Sequence, residues 1–132
     1  MNVERRLRVW TMRISGAESQ VMEALWRRAP LTAEEIFVEV GETQGWAEAT
    51  LKTLLNRLLN KNVVSAEKDG RRYLYRPLVA RDEYVEAESQ GLLDRLFDGR
   101  LAPLVSHFSE RQKLKPQDIA DLKRLIAELD DE

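Results

Sequence analysis

The chain has no cysteine and a single histidine, His107. The first absence excludes disulfides, thiolate metal sites and thiol-based redox sensing, and the second argues against a zinc site. No uninterrupted apolar stretch approaches the length of a membrane-spanning helix, and the arginine-rich start, Met1 to Arg13, lacks the apolar segment of a secretory signal. A cytoplasmic chain with no membrane insertion is expected. Also missing are G-x-S-x-G, a P-loop and G-x-G-x-x-G, so no enzyme is expected and no cofactor or metal is implied. Low-complexity tracts and solenoid-period repeats are absent. What remains, 132 residues with 43% apolar and 33% charged side chains, is the composition of a soluble folded chain with one main core.

The net charge of −2 hides an asymmetry. Residues 1–81 carry 14 Lys/Arg against 10 Asp/Glu, and residues 82–132 carry 7 against 13. Within 50–81 there are eight bases, Lys52, Arg57, Lys61, Lys68, Arg71, Arg72, Arg76 and Arg81, against Glu67 and Asp69. Such a stretch suits a polyanion. On charge alone the plainer reading, a solvated face, stands ahead.

Periodicity adds the shape. Val21, Met22, Leu25 and Trp26 recur at helical spacing behind Ser15 and Glu18, a capping box, and this first helix ends near Pro30. Thr32 caps a second helix with Ile36, Phe37 and Val40 inward, closed by Gly41 and Gly45. In a third, Ala47 to Lys61, Leu51, Leu54, Leu55, Leu58 and Leu59 gather on one side, and Ala49, Lys52, Thr53, Asn56 and Asn60 line the other. That outer face is polar yet acid-free past Glu48, where a solvated helix would mix Glu with Lys. Lys, Thr and Asn are side chains that read base edges. Two strands follow, Val63 to Lys68 and Arg71 to Arg76, with Asp69-Gly70 as a two-residue type I′ turn. Three helices and a basic hairpin make a winged helix-turn-helix domain in a mainly α chain.

Residues 82–132 read as three more helices: Asp82 to Phe97, Leu101 to Phe108, and Gln117 to Leu129 behind Pro116, with breaks at Gly99-Arg100 and around Lys113. One apolar series runs Leu92, Leu93, Leu96, Phe97, Leu101, Leu104, Val105, Phe108; another runs Ile119, Leu122, Leu125, Ile126, Leu129. These stripes need cover. A homodimer supplies it more economically than folding back on the winged domain. The expected organisation is an extension over 1–13, a DNA-binding winged domain over 14–80 and a helical dimerisation domain over 81–132.

Trp46, Thr50, Thr53-Leu54-Leu55, Arg57-Leu58 and Lys61, then Gly70-Arg71, Tyr73, Tyr75 and Pro77-Leu78-Val79, then Tyr84-Val85, Glu88-Ser89, Leu93 to Phe97 and Gly99 together resemble the penicillinase-repressor (BlaI/MecI) family over about residues 14–129. The resemblance implies a homodimer that binds an inverted-repeat DNA operator and represses the genes beside it. It implies Lys52, Thr53 and Asn56 in the major groove, Lys to guanine and Asn to adenine. Thr32, Thr50, Arg57 and Lys61 would touch phosphates, and Lys68, Arg71 and Arg72 would reach backbone or minor groove from the wing. For Arg57 a salt bridge within the domain is the competing reading. Arg5, Arg6, Arg8 and Arg13 could form a basic arm, against a loosely ordered extension.

The chain departs from the family in four places. Ala47 stands where a capping Ser is usual, so Gly45 or the preceding turn must substitute. Asn62 replaces a Gly after Lys61, and Asn accepts the left-handed conformation. Family members paired with a membrane sensor-protease are cut between Asn and Phe in the dimerisation segment; the matching pair here is His107-Phe108. The cysteine-rich tail of the copper-responsive branch is missing. The rival to DNA binding is a winged domain that contacts protein alone, which predicts an acidic or apolar surface at the third helix.

Overall fold

The computed structural model describes residues 14–111 and 114–131; the expected extension over 1–13 and Lys113 lie outside them. Helix α1 (Gly16–Arg27) opens on the Ser15 capping box: Glu18 N–H donates to Ser15 Oγ at 3.1 Å, and Ser15 N–H to Glu18 Oε1 at 3.2 Å. A second capping box, Thr32 with Glu35, opens α2 (Ala33–Ile36). This helix does not stop at Gly41 as its sequence suggests. It widens to π pitch over Phe37–Gly41, where Glu42 N–H reaches Phe37 O, and continues as α3 (Glu42–Gln44). Gly41 is needed here for space, because a Cβ would lie 2.6 Å from Cδ1 of Phe37. Gly45, at φ +74°, ends the segment in the left-handed region.

Helix α4 (Glu48–Asn60) follows and buries Leu51, Leu54, Leu55 and Leu58. Their partners in the core are Val21, Met22, Ala24 and Leu25 of α1, Leu31, Ile36, Val40, Val63 and Val64, with Trp46, Phe37 and Tyr75 packed against them. Asn62, at φ +59°, turns the chain into the hairpin, and Val63 N–H caps back onto Leu58 O.

Strands β1 (Val64–Asp69) and β2 (Arg72–Pro77) pair antiparallel from Val64 opposite Pro77 to Asp69 opposite Arg72. The turn is therefore Gly70-Arg71, one residue later than the Asp-Gly signal suggests. Gly70 has φ +67° and Arg71 is not among the positive-φ residues, the pattern of a type II′ turn with glycine first. Leu31 and Tyr75 exchange two backbone bonds, 3.2 and 2.8 Å, which fasten the base of the wing to the segment before α2.

The winged unit ends at Glu88 and a second unit begins at Ser89. The first thus includes the opening turns of α5 (Arg81–Leu96), beyond the boundary at residue 80 expected from the sequence. Trp26 explains the difference. Its indole Nε1–H donates to Val79 O at 2.9 Å, and its ring lies 5.2 Å from that of Tyr84. Arg81 adds a two-pronged contact to Glu23, at 2.8 and 3.3 Å.

The second unit holds the rest of α5, α6 (Leu101–Glu110) and α7 (Pro116–Asp130). Asp98 and Gly99, at φ +52° and +75°, break α5 from α6, and Pro116 starts α7 where a missing N–H costs nothing. No described residue of this unit is buried. Leu96, Leu101, Phe108, Ile119, Leu125, Ile126 and Leu129 are exposed, Leu129 by 67%. No helix among the described residues is long and apolar enough to cross a membrane.

One electrostatic contact ties the start of α1 to the end of α4. Lys61 Nζ donates to both oxygens of Glu18, at 2.8 and 2.7 Å. Burial pushes the Glu18 pKa up, but the Lys61 ammonium and the Ser15 hydroxyl and amide outweigh it and hold the carboxyl below its ordinary value. A depressed folded-state pKa gives stability that is present above the unfolded pKa, about 4.3, and disappears as pH falls through the folded one. Urea midpoints of the wild type and Glu18→Gln should therefore differ at neutral pH and converge in acid; a gap that stays constant down to pH of about 3 would refute the linkage.

Candidate nucleic-acid interface

The inward leucines of α4 leave its other side to solvent. Ala49, Thr50, Lys52, Thr53, Asn56, Arg57 and Asn60 are all exposed. Lys52 and Arg57 join no ion pair among the described residues, so the salt bridge weighed for Arg57 is not seen and its guanidinium faces outward. Thr53 Oγ1 donates to Ala49 O at 3.0 Å. The structure thus brings together all three expected base readers and two of the four expected phosphate contacts, Thr50 and Arg57, on one helix surface.

At its N-terminus α4 has no side-chain cap. Ala47 is extended, at φ −79° and ψ 158°, and offers only its carbonyl, to Thr50 and Leu51 N–H. The substitute expected from Gly45 does not arise, because that glycine terminates α3 instead.

The wing supplies the second positive surface. Lys68 and Arg71 are exposed, and neither joins an ion pair among the described residues. Arg72 and Arg76 have loose partners on the hairpin itself, Asp69 at 3.5 Å and Glu67 at 4.0 Å. Exposed pairs of this length hold their charges weakly, so both arginines stay available to a stronger anion. Tyr73, 49% exposed and paired across the ladder with Lys68, places an aromatic ring among these bases. The sequence marks it only as a signature residue; its position beside Lys68 depends on the strand register, which the turn signal misplaces.

Two expected phosphate contacts are corrected. Thr32 is buried, and its hydroxyl accepts the Glu35 N–H at 3.1 Å as the cap of α2. Its amide is also engaged, with Glu35 Oε1 at 2.9 Å. Lys61 is turned inward onto Glu18, with its side chain 19% exposed. A threonine before a helix and a lysine in a basic run are each ambiguous in sequence between a cap or core partner and a surface contact.

The sequence profile of the penicillinase repressor family matches residues 14–128. The chain belongs to the penicillinase repressor family. Its members are transcriptional repressors and not enzymes. The penicillinase repressor of Bacillus licheniformis is 31% identical over 115 residues, covering 87% of this chain and 90% of its own. The methicillin resistance regulatory protein MecI of Staphylococcus aureus strain N315 is 28% identical over 116 residues, covering 88% and 94%. Among solved structures, the DNA binding domain of the repressor BlaI superposes with a TM-score of 0.51 at 32% identity, covering 55% of this chain and 88% of that one.

The penicillinase-repressor signature divides between interior and surface. Leu54, Leu55 and Leu58 are core and Trp46 packs on it, whereas Thr50, Thr53 and Arg57 face out. Within the second unit, His107 and Phe108 lie near the end of α6, their rings 5.7 Å apart, with Phe97 6.4 Å from His107.

The uncapped start of α4 gives a direct test. Ala47→Ser, at a backbone conformation already suited to an N-cap, should raise unfolding stability by about 0.5–1 kcal/mol in urea denaturation. No gain would mean that the α4 amides already have an equivalent partner.

Proposed function

We propose that the chain is a transcriptional repressor that binds an inverted-repeat DNA operator as a homodimer, with α4 in the major groove and the β1–β2 wing on the adjacent backbone or minor groove. The observation that carries this reading is the outer face of α4. It presents Lys52, Thr53 and Asn56 without an acid among them, and Thr50 and Arg57 are exposed on its flank, where they suit phosphates. Lys68, Arg71 and Arg72 add charge from the wing. A winged domain used for protein contact alone would gain nothing from an acid-free helix face beside a basic hairpin tip.

The partner copy follows from the second unit. Its exposed leucines, Ile119, Ile126 and Phe108 repeat along three helices that bury no described side chain. A second copy of the same surface covers them by two-fold symmetry. The same symmetry presents two recognition helices to two half-sites, which is what an inverted repeat requires. Sedimentation velocity should find a dimer at micromolar protein, converted to monomer by Leu125→Asp/Leu129→Asp. A monomeric wild type would overturn the assembly.

The membrane sensor-protease remains part of the proposal through position alone. A scissile bond between His107 and Phe108 lies one turn from the end of α6, whose Arg111 N–H still bonds His107 O at 3.2 Å, so cleavage requires that last turn to unwind. A cytoplasmic location goes with the DNA target.

Gel-shift titrations against a duplex enriched by the wild-type protein from a random-sequence pool, and against a scrambled duplex of the same composition, test the DNA reading. Asn56→Ala should cost about 1–3 kcal/mol on the enriched duplex and spare the scrambled one. Arg71→Ala should weaken both and reduce the slope of log affinity against log salt by about one. Equal losses for Asn56→Ala on the two duplexes, or an unchanged slope for Arg71→Ala, would remove that residue from its role.

A further inference from the structure

The leucine stripe of α4 fixes which face of the helix turns outward, but apolar contacts are non-directional and constrain tilt and slide along the axis poorly. The end beyond Asn56 carries a directional contact instead. Lys61, the C-cap of α4, gives its ammonium to both carboxylate oxygens of Glu18 at 2.8 and 2.7 Å. Glu18 is 2% exposed and is itself held from its other side, since Oε1 also accepts the Ser15 N–H. The carboxylate is therefore held from two sides. The contact joins the first turn of α1 to the last of α4, 43 residues apart in sequence.

We infer that Glu18 and Lys61 are positioning residues for operator reading, and that Lys61 acts through this contact and not through a phosphate. The lever arm makes the case. Released at Lys61, α4 can pivot about its other end; Asn56 lies nine residues from Ala47, about 13 Å at the helical rise, so a tilt of about 5° displaces it by about 1 Å. A shift of that size breaks a two-pronged bond to a base edge, whose useful range is a few tenths of an ångström. Phosphate contacts from long, mobile side chains absorb it. The pair should thus govern the ratio of specific to non-specific affinity and leave the electrostatic attraction alone. Charge-assisted, two-pronged geometry is the kind of contact that fixes orientation.

This inference rests on the DNA reading above, and its test separates the two. Lys61→Met alone would leave a buried carboxylate without its cation and could fail to fold. The informative variants are Glu18→Gln, which keeps the lysine, and Glu18→Gln/Lys61→Met, which buries no unpaired charge; in both, the amide oxygen introduced at position 18 can still accept the Ser15 N–H. Each is first shown by circular dichroism to be folded at the assay temperature, then titrated on the enriched and scrambled duplexes across a salt series. Both variants should lose about tenfold in affinity for the enriched duplex, hold the scrambled duplex within about twofold, and keep the wild-type salt slope. Two results overturn the inference: Glu18→Gln matching the wild type on the enriched duplex, or the double variant losing about one unit of slope relative to Glu18→Gln, which would make Lys61 a phosphate contact. A wild type that enriches no duplex removes the DNA reading and this inference together, whereas normal enrichment with an unaffected Glu18→Gln removes only this one.

Discussion

Which face α4 turns to solvent follows from the burial of Leu51, Leu54, Leu55 and Leu58 in the core it shares with α1. Four leucines taken fully out of water contribute on the order of 6–12 kcal/mol of apolar transfer free energy, enough to decide the rotation of α4 about its axis. Once that rotation is set, Lys52, Thr53 and Asn56 have only one place to point. The core therefore specifies the surface, and a change inside would be felt outside without touching any residue of the outer face.

The parts of this arrangement that were legible in sequence share one property: they are local. Ser15 with Glu18 and Thr32 with Glu35 are i, i+3 signals, and the α4 stripe is a 3.6-residue rhythm; each appears where expected. Asn62 adopts the left-handed conformation anticipated for it. The break at Gly99 and the start of the last helix at Pro116 fall close to where they are expected, because glycine and proline act on their own backbones.

What sequence misplaced depends on partners far along the chain or on choices between near-equal local states. Asp69-Gly70 and Gly70-Arg71 are both acceptable two-residue turns, and the strands pair in the register of the second, with Asp69 opposite Arg72. Gly41 resembles a helix terminator, yet its value lies in the room it leaves for Phe37. Lys61 belongs to the basic run by composition and to Glu18 by geometry. Trp26 and Tyr84 extend the winged unit into α5 through a contact that no periodicity announces.

Thr53 carries a chemical consequence of its own. Its hydroxyl proton is already given to the Ala49 carbonyl, so toward a base it can present only lone pairs and a methyl group. A side chain of that kind accepts from the exocyclic amino group of adenine or cytosine, or rests against the methyl of thymine, and has nothing to offer the keto oxygen of guanine. The backbone of the helix thereby limits, one turn upstream, what this threonine would offer to a base edge.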